Sequence, residues 1–333
     1  MKKILALLLA LWIPAAVLSG CAPQDDSAAS NKLNIVTTIF PAYDWVREIL
    51  GDETDRAEIT TLLDSGVDLH SYQPTVDDIV KISECDLFLY VGGESDGWVE
   101  DALKNAPNKE RKVIRLLDVL GDSAKVEETV EGMQEEEHDH EEEEHGHEEE
   151  AEYDEHIWLS LKNAQVLVAA ISEALQESDP ARKDTYAANA AAYAEKLSAL
   201  DGEYRAAVDS GKYKILLFGD RFPFRYLADD YGLDYYAAFP GCSAETEASF
   251  ETVSFLAGKM DALGLPCVLT IEGTQHKIAE TIVQNTAQKN QQILTMDSMQ
   301  AVTANDAASG VSYLSIMEKN LSVLKKALGQ EAE

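Results

Sequence analysis

The chain has 333 residues, 45% apolar and 26% charged, a balance that suits a globular protein of about two domains and excludes a disordered or fibrous one. Its formal net charge is −34, from 61 acidic against 27 basic residues. That balance excludes a nucleic-acid partner and a polybasic patch for lipid headgroups. Half of the excess sits in residues 127–155, with 17 acidic residues and no Lys or Arg.

Lys2 and Lys3 open the chain, followed by an apolar run over 4–17 and then Leu18-Ser19-Gly20-Cys21. A basic start, a short apolar stretch and small residues after it predict a signal peptide over 1–20, too short to span a membrane comfortably. Leu-Ser-Gly-Cys resembles a bacterial lipobox, which implies an acylated Cys21 and a polar lipidated tether over 21–31. The mature chain is therefore expected to be exported and lipid-anchored to the cell envelope, facing the periplasm or the cell exterior. Export permits a disulfide. Cys242 and Cys267 share the C-terminal half and are the expected pair, leaving Cys85 as a buried free thiol.

Strand-like runs follow at 32–38, 57–63, 87–91 and 113–116, with helical patterns at 43–50, 75–83 and 98–105. The second half repeats the scheme, with strands at 214–218, 234–238, 267–271 and 292–296 and helices at 224–231, 246–263, 277–286 and 313–328. Between the halves, 163–210 is rich in Ala, Glu, Lys and Leu. Ser178-Asp179 before Pro180 predicts a capped start for a helix reaching about residue 208, roughly 40 Å long. The expected architecture is α/β: two similar lobes, each a mainly parallel sheet flanked by helices, over 32–178 and 211–330, joined by one long rigid connecting helix over 179–210.

The acidic segment contains EEEHDHEEEEHGHEEE and no apolar periodicity, so 127–155 is expected to be a disordered loop. Its His138, His140, His145 and His147 are four of the chain's seven histidines and read as an accessory metal-binding tract. Three others lie outside it: His70 after a strand and loop, His156 where a helix begins, and His276. Strand ends in an α/β lobe open onto a ligand crevice.

IVTTIFPAYDWVREILGD, DLHSYQPTVDDIVKISECDLFLYVGG, DEHIWLSLKNA, LADDYGL, TIEGTQHKIAETI and ILTMDSMQ resemble, in order, the metal-binding components of bacterial ABC transporters that import zinc or manganese. The acidic His-rich insertion ahead of the second ligand is typical of the zinc branch. The resemblance implies a metal site in the interlobe cleft, with His70 and His156 as ligands from the N-terminal lobe. Its third ligand comes from LLFGDRFPFRYLADDYGL, which holds no His here; Asp220 is the nearest candidate, and Arg221 shares the slot. Asp297 and Glu272 match acidic positions of the family, and His276 could supply the missing imidazole. Glu245 or Glu247 could pair with Arg221 or Arg225 across the cleft.

The resemblance further implies a monomer that serves an ABC permease and its ATPase and carries Zn²⁺. Two imidazoles with carboxylates suit zinc, whereas Mn²⁺, the alternative cargo, prefers more oxygen ligands. The sequence holds no HExxH, GxSxG or P-loop, so binding is expected here and not enzymatic turnover. A metal-binding surface adhesin is the remaining alternative.

Overall fold

Four short apolar stretches of the N-terminal half, too short and too β-branched or aromatic to be helices, pair as a parallel sheet. They are β1 (Leu33–Thr37), β2 (Ala57–Thr61), β3 (Leu87–Tyr90) and β4 (Lys112–Arg115), in the order β2-β1-β3-β4. Their crossovers carry α1 (Phe40–Leu50), α2 (Val76–Glu84) and α3 (Val99–Lys104), and α4 (Leu116–Leu120) follows β4. Pro41 in the first turn starts α1, and Thr75 with Asp78 closes a capping box at α2. The computed structural model describes residues 32–104, 106–134, 152–243, 247–273 and 275–330. Cys21 and the four histidines of the acidic tract lie outside them.

The C-terminal half repeats this topology. Strands β5 (Ile215–Phe222), β6 (Asp234–Pro240), β7 (Cys267–Thr270) and β8 (Gln292–Thr295) form a parallel sheet ordered β6-β5-β7-β8. Between the sheets run α5 (Leu161–Ser178) and α6 (Lys183–Ser210). The second sheet carries α7 (Arg225–Tyr231), α8 (Phe250–Leu263), α9 (Lys277–Asn285), α10 (Ala304–Ala308) and α11 (Tyr313–Ala327).

Helix α6 has 28 residues, a length of roughly 42 Å. Tyr186, Ala190, Tyr193, Leu197, Leu200, Tyr204 and Ala207 form its buried stripe at alternating steps of four and three. Asn189 donates to the Ile49 carbonyl of α1 at 3.0 Å, and Tyr204 to the Met317 carbonyl of α11 at 2.7 Å, so the helix is fastened to both lobes. One continuous apolar cluster joins Trp45, Leu167, Tyr193, Phe218 and Leu324 across the molecule. Such a shared core makes a stiff connection. The predicted cap does not form: Asp179 instead accepts from Arg56 at 3.0 Å and Tyr186 at 3.1 Å, and a 3-10 turn (Pro180–Arg182) precedes α6. Among the described residues, no helix is long and apolar enough to cross a membrane.

The acidic segment is ordered further than its composition predicts. Glu127 N–H donates to Glu152 O and Asp154 N–H to Lys125 O, both at 2.8 Å, so 125–127 and 152–154 pair as a short antiparallel ribbon. Residues 130–134 then lie on the C-terminal lobe: Gln134 N–H reaches the Ala238 carbonyl at 2.9 Å, Ser249 N–H reaches Gln134 Oε1 at 2.7 Å, and Glu131 meets Lys259 at 3.0 Å. Gly132, at φ +88°, lies so close to the Phe255 ring that any Cβ would collide with it. The expectation of disorder throughout 127–155 is thus corrected for 127–134 and 152–155. Main-chain hydrogen bonds supply there what apolar periodicity does not report.

Candidate metal centre

The loop after β2 delivers His70. Leu62 and Leu63 donate to the carbonyls of Thr37 and Thr38, Leu69 is buried, and Asp68 accepts the His70 N–H at 3.0 Å, fixing a short 3-10 turn (Leu69–Ser71). His156 enters from the other side, fully buried at the start of the turn Ile157–Leu159. Asp154 Oδ1 accepts both its backbone N–H, at 2.8 Å, and its Nδ1, at 3.0 Å. His70 Nδ1 lies 2.9 Å from Ser95 Oγ and 3.3 Å from Glu155 Oε2. A proton on Nδ1 is met by Asp154 at His156 and by Ser95 Oγ at His70, with Glu155 beside it, and in that tautomer each ring turns its Nε2 lone pair inward. The two Nε2 atoms face each other at 3.1 Å.

The third group comes from the opposite lobe. Strand β6 ends at Pro240, and Gly241 brings the chain against His156: a Cβ on Gly241 would stand 2.8 Å from the Phe222 carbonyl and 3.2 Å from His156 Nδ1. That close approach places Cys242, whose N–H is held by Glu127 Oε1 at 2.8 Å, over the imidazole pair. The ligand atoms of His70, His156 and Cys242 all lie within 4.8 Å of one another, the one such group of His, Cys, Asp and Glu among the described residues. Burial, then Asp154 and Glu127, push the Cys242 thiol far above the ordinary range. A cation at the centre reverses that preference, because a coordinating thiol is deprotonated by the metal. Burial pushes Glu155 up as well, but hydrogen bonds and attraction from His70 and Ser95 outweigh it and hold the carboxyl below its usual range.

Residues 35–327 match the family described as zinc-uptake complex component A, periplasmic, ZnuA. The chain belongs to the ZnuA family. It is 34% identical over 331 residues, 99% of its length, to the zinc-binding lipoprotein AdcA of Streptococcus pneumoniae, but spans only 62% of that relative. It is 31% identical to the high-affinity zinc uptake system protein ZnuA of Bacillus subtilis, covering 90% of this chain and 88% of the relative. The crystal structure of the Zn(II)-bound ZnuA-like domain of pneumococcal AdcA is similar at a TM-score of 0.68 and 29% identity, over 90% of this chain and all of that one. The two-lobed α/β architecture with a long connecting helix is thus that of the family.

Within this ZnuA-family fold, the remaining sequence candidates have other partners. Arg221 reaches across the lobes: its guanidinium pairs with Asp68, two residues before His70, and donates to the Ser243 carbonyl, next to Cys242, at 3.4 Å. Asp220 accepts from Arg221 N–H at 3.0 Å and Ile271 N–H at 3.3 Å, close to His276, which heads α9. Neither Asp220 nor His276 joins the cluster. Glu272 is occupied by the loop after β8, accepting from Ser298 N–H at 2.6 Å, Ser298 Oγ at 2.7 Å and Gln300 N–H at 3.0 Å. Asp297 accepts from Met299 N–H at 2.8 Å and also stands outside the cluster.

The expected disulfide is not formed: Cys242 and Cys267 are both free, the first facing the imidazoles and the second buried in β7. Cys85 is a buried free thiol, as expected. Arg225 pairs with Glu128 at 3.1 Å in place of the suggested Glu247, and Glu245 lies outside the described residues. Sequence reasoning missed Cys242 as a ligand candidate and Asp154 as an anchor. The signal for Asp154 was in plain view, an acid two residues ahead of a candidate histidine.

Proposed function

We propose that this chain is the extracytoplasmic zinc-binding component of an ABC importer, which captures Zn²⁺ between His70, His156 and Cys242 and passes it to a permease and its ATPase. The observation that carries the reading is the convergence of two imidazoles from one lobe, one held by Asp154 and the other by Ser95, and a thiol from the other lobe. Two nitrogens and a sulfur form a donor set that zinc accepts with tetrahedral bonds, whereas manganese favours oxygen. The names of the AdcA and ZnuA relatives point the same way. Burial of the group suits reversible holding of a cation more than turnover, which needs an open position for water. Attachment through an acylated Cys21, as a monomer facing the periplasm or the cell exterior, completes the proposal.

The test is competitive calorimetric titration of the untethered protein with zinc and with manganese, beside the double variant His70→Ala/His156→Ala. One tight zinc site, absent from the double variant and outcompeting manganese, is the expected result. Equal or tighter manganese binding, or tight zinc binding by the double variant, would refute the assignment.

A further inference from the structure

Three protein ligands leave a tetrahedral ion one position short. We propose that Gln300 fills it, through its side-chain carbonyl oxygen; this rests on zinc being held by His70, His156 and Cys242. Gln300 follows β8 and is only 7% exposed, and the end of its side chain lies against His156, with the amide nitrogen 3.3 Å from His156 Nε2. Its carbonyl oxygen is buried without any hydrogen-bond partner. The two ends of a primary amide have nearly the same shape, so a half-turn of the group exchanges them. With nitrogen inward, the group caps the His156 lone pair and leaves the oxygen orphaned. With oxygen inward, it meets a lone pair, unless a cation stands between.

The spacing matches coordination. Ligand bonds of about 2.0–2.1 Å put neighbouring ligand atoms of a tetrahedron about 3.3 Å apart. The two imidazole nitrogens are 3.1 Å apart, and the end of Gln300 is 3.3 Å from one of them.

The loop carrying Gln300 is held from several sides. Glu272 takes the N–H groups of Ser298 and Gln300, Trp158 Nε1 donates to the Ser298 carbonyl at 2.8 Å, and Asn320 bonds both the N–H and the carbonyl of Asp297 at 2.8 Å. Met299, immediately before Gln300, adopts φ +67°, a left-handed conformation that a residue with a side chain adopts only when its surroundings enforce it. The carboxylates of Glu272 and Asp297 are thereby occupied in shaping the loop, and it is the Gln300 amide that the loop sets against His156. A neutral oxygen binds more weakly than a carboxylate, which suits a carrier that must let go.

Zinc titration of Gln300→Ala, Gln300→Glu and Asp297→Asn, each first shown to unfold cooperatively in the absence of metal, decides the matter. Cobalt(II) absorption serves as a second readout of coordination. Expected are zinc binding about tenfold weaker or more in Gln300→Ala, tighter binding in Gln300→Glu, altered cobalt ligand-field bands in both, and a smaller loss in Asp297→Asn than in Gln300→Ala. Zinc binding by Gln300→Ala at or above the wild-type affinity would overturn the proposal, since the amide would then only cap the empty site. A loss in Asp297→Asn equal to or larger than that in Gln300→Ala would overturn it as well. Failure of the underlying reading is separable: the wild type itself would then lack a tight site dependent on His70 and His156.

Discussion

Replacing Arg221 with methionine should weaken both the fold and the metal site, because one guanidinium holds the flank of His70 and the flank of Cys242 together. Its partner Asp68 is mostly out of water; burial pushes that carboxyl up, but attraction to Arg221 and His70 more than offsets this and leaves it below the usual range. Removing one partner of a buried ion pair costs about 3–5 kcal/mol. The two side chains keep 16% and 21% of their exposure, so screening reduces this to about 2 kcal/mol. In a chain of this size that lowers the melting temperature by about 4 °C. A carboxylate whose folded pKa is depressed contributes stability that is present above its unfolded pKa of about 3.9 and is lost as pH falls through the folded value. The deficit of Arg221→Met should therefore be full at pH 7 and shrink in acid. The assay is thermal unfolding from pH 3 to pH 8 on Arg221→Met, Asp68→Asn and the double variant, with a double-mutant cycle isolating the pair. A pH-independent deficit, or penalties that simply add in the double variant, would refute the coupling.

Asp154→Ala should weaken zinc binding by about 10–100-fold by freeing the His156 ring; calorimetry giving an unchanged affinity would show that the ring needs no anchor. Gly241→Ala should also bind zinc more weakly, because its Cβ would press on the Phe222 carbonyl and the His156 ring; titration indistinguishable from wild type would contradict that packing. Thiol titration and peptide mapping of the untethered chain under denaturing, non-reducing conditions should find Cys85, Cys242 and Cys267 all free, and a Cys242–Cys267 peptide would contradict this. Burial, then the neighbouring Glu272, raises the Asp297 carboxyl to about 6. Its contribution is thus present in acid and lost as pH rises through about 6, so Asp297→Asn should melt above the wild type at pH 8 and lose that advantage by pH 4. An advantage that grows in acid would reverse the sign.

The alternation of apolar runs with helical patterns located all eight strands within a few residues, because parallel strands buried on both faces are short, apolar and bounded by polar turns. Helices α4 and α10, of five residues each, were too short to show a period. His70 and His156 were legible through their flanking motifs. Cys242 was not, because export makes pairing the default reading of a thiol, and because the histidine missing near Arg221 was sought among neighbours in sequence. Cys242, the thiol proposed in its place, follows the adjacent strand, β6, a proximity only the sheet creates. For Glu272 and Asp297 the fold adds what the sequence does not show, since both accept backbone N–H groups and neither joins His70, His156 and Cys242. A carboxylate that clamps backbone N–H groups and one that binds a cation look alike in one dimension.

X-ray absorption at the zinc edge reads the ligand atoms themselves. The zinc-loaded untethered protein should show one sulfur at about 2.3 Å beside nitrogen and oxygen ligands at about 2.0–2.1 Å, and Cys242→Ser should lose the sulfur shell while the others persist. A wild-type spectrum with nitrogen and oxygen alone would contradict a site completed by Cys242.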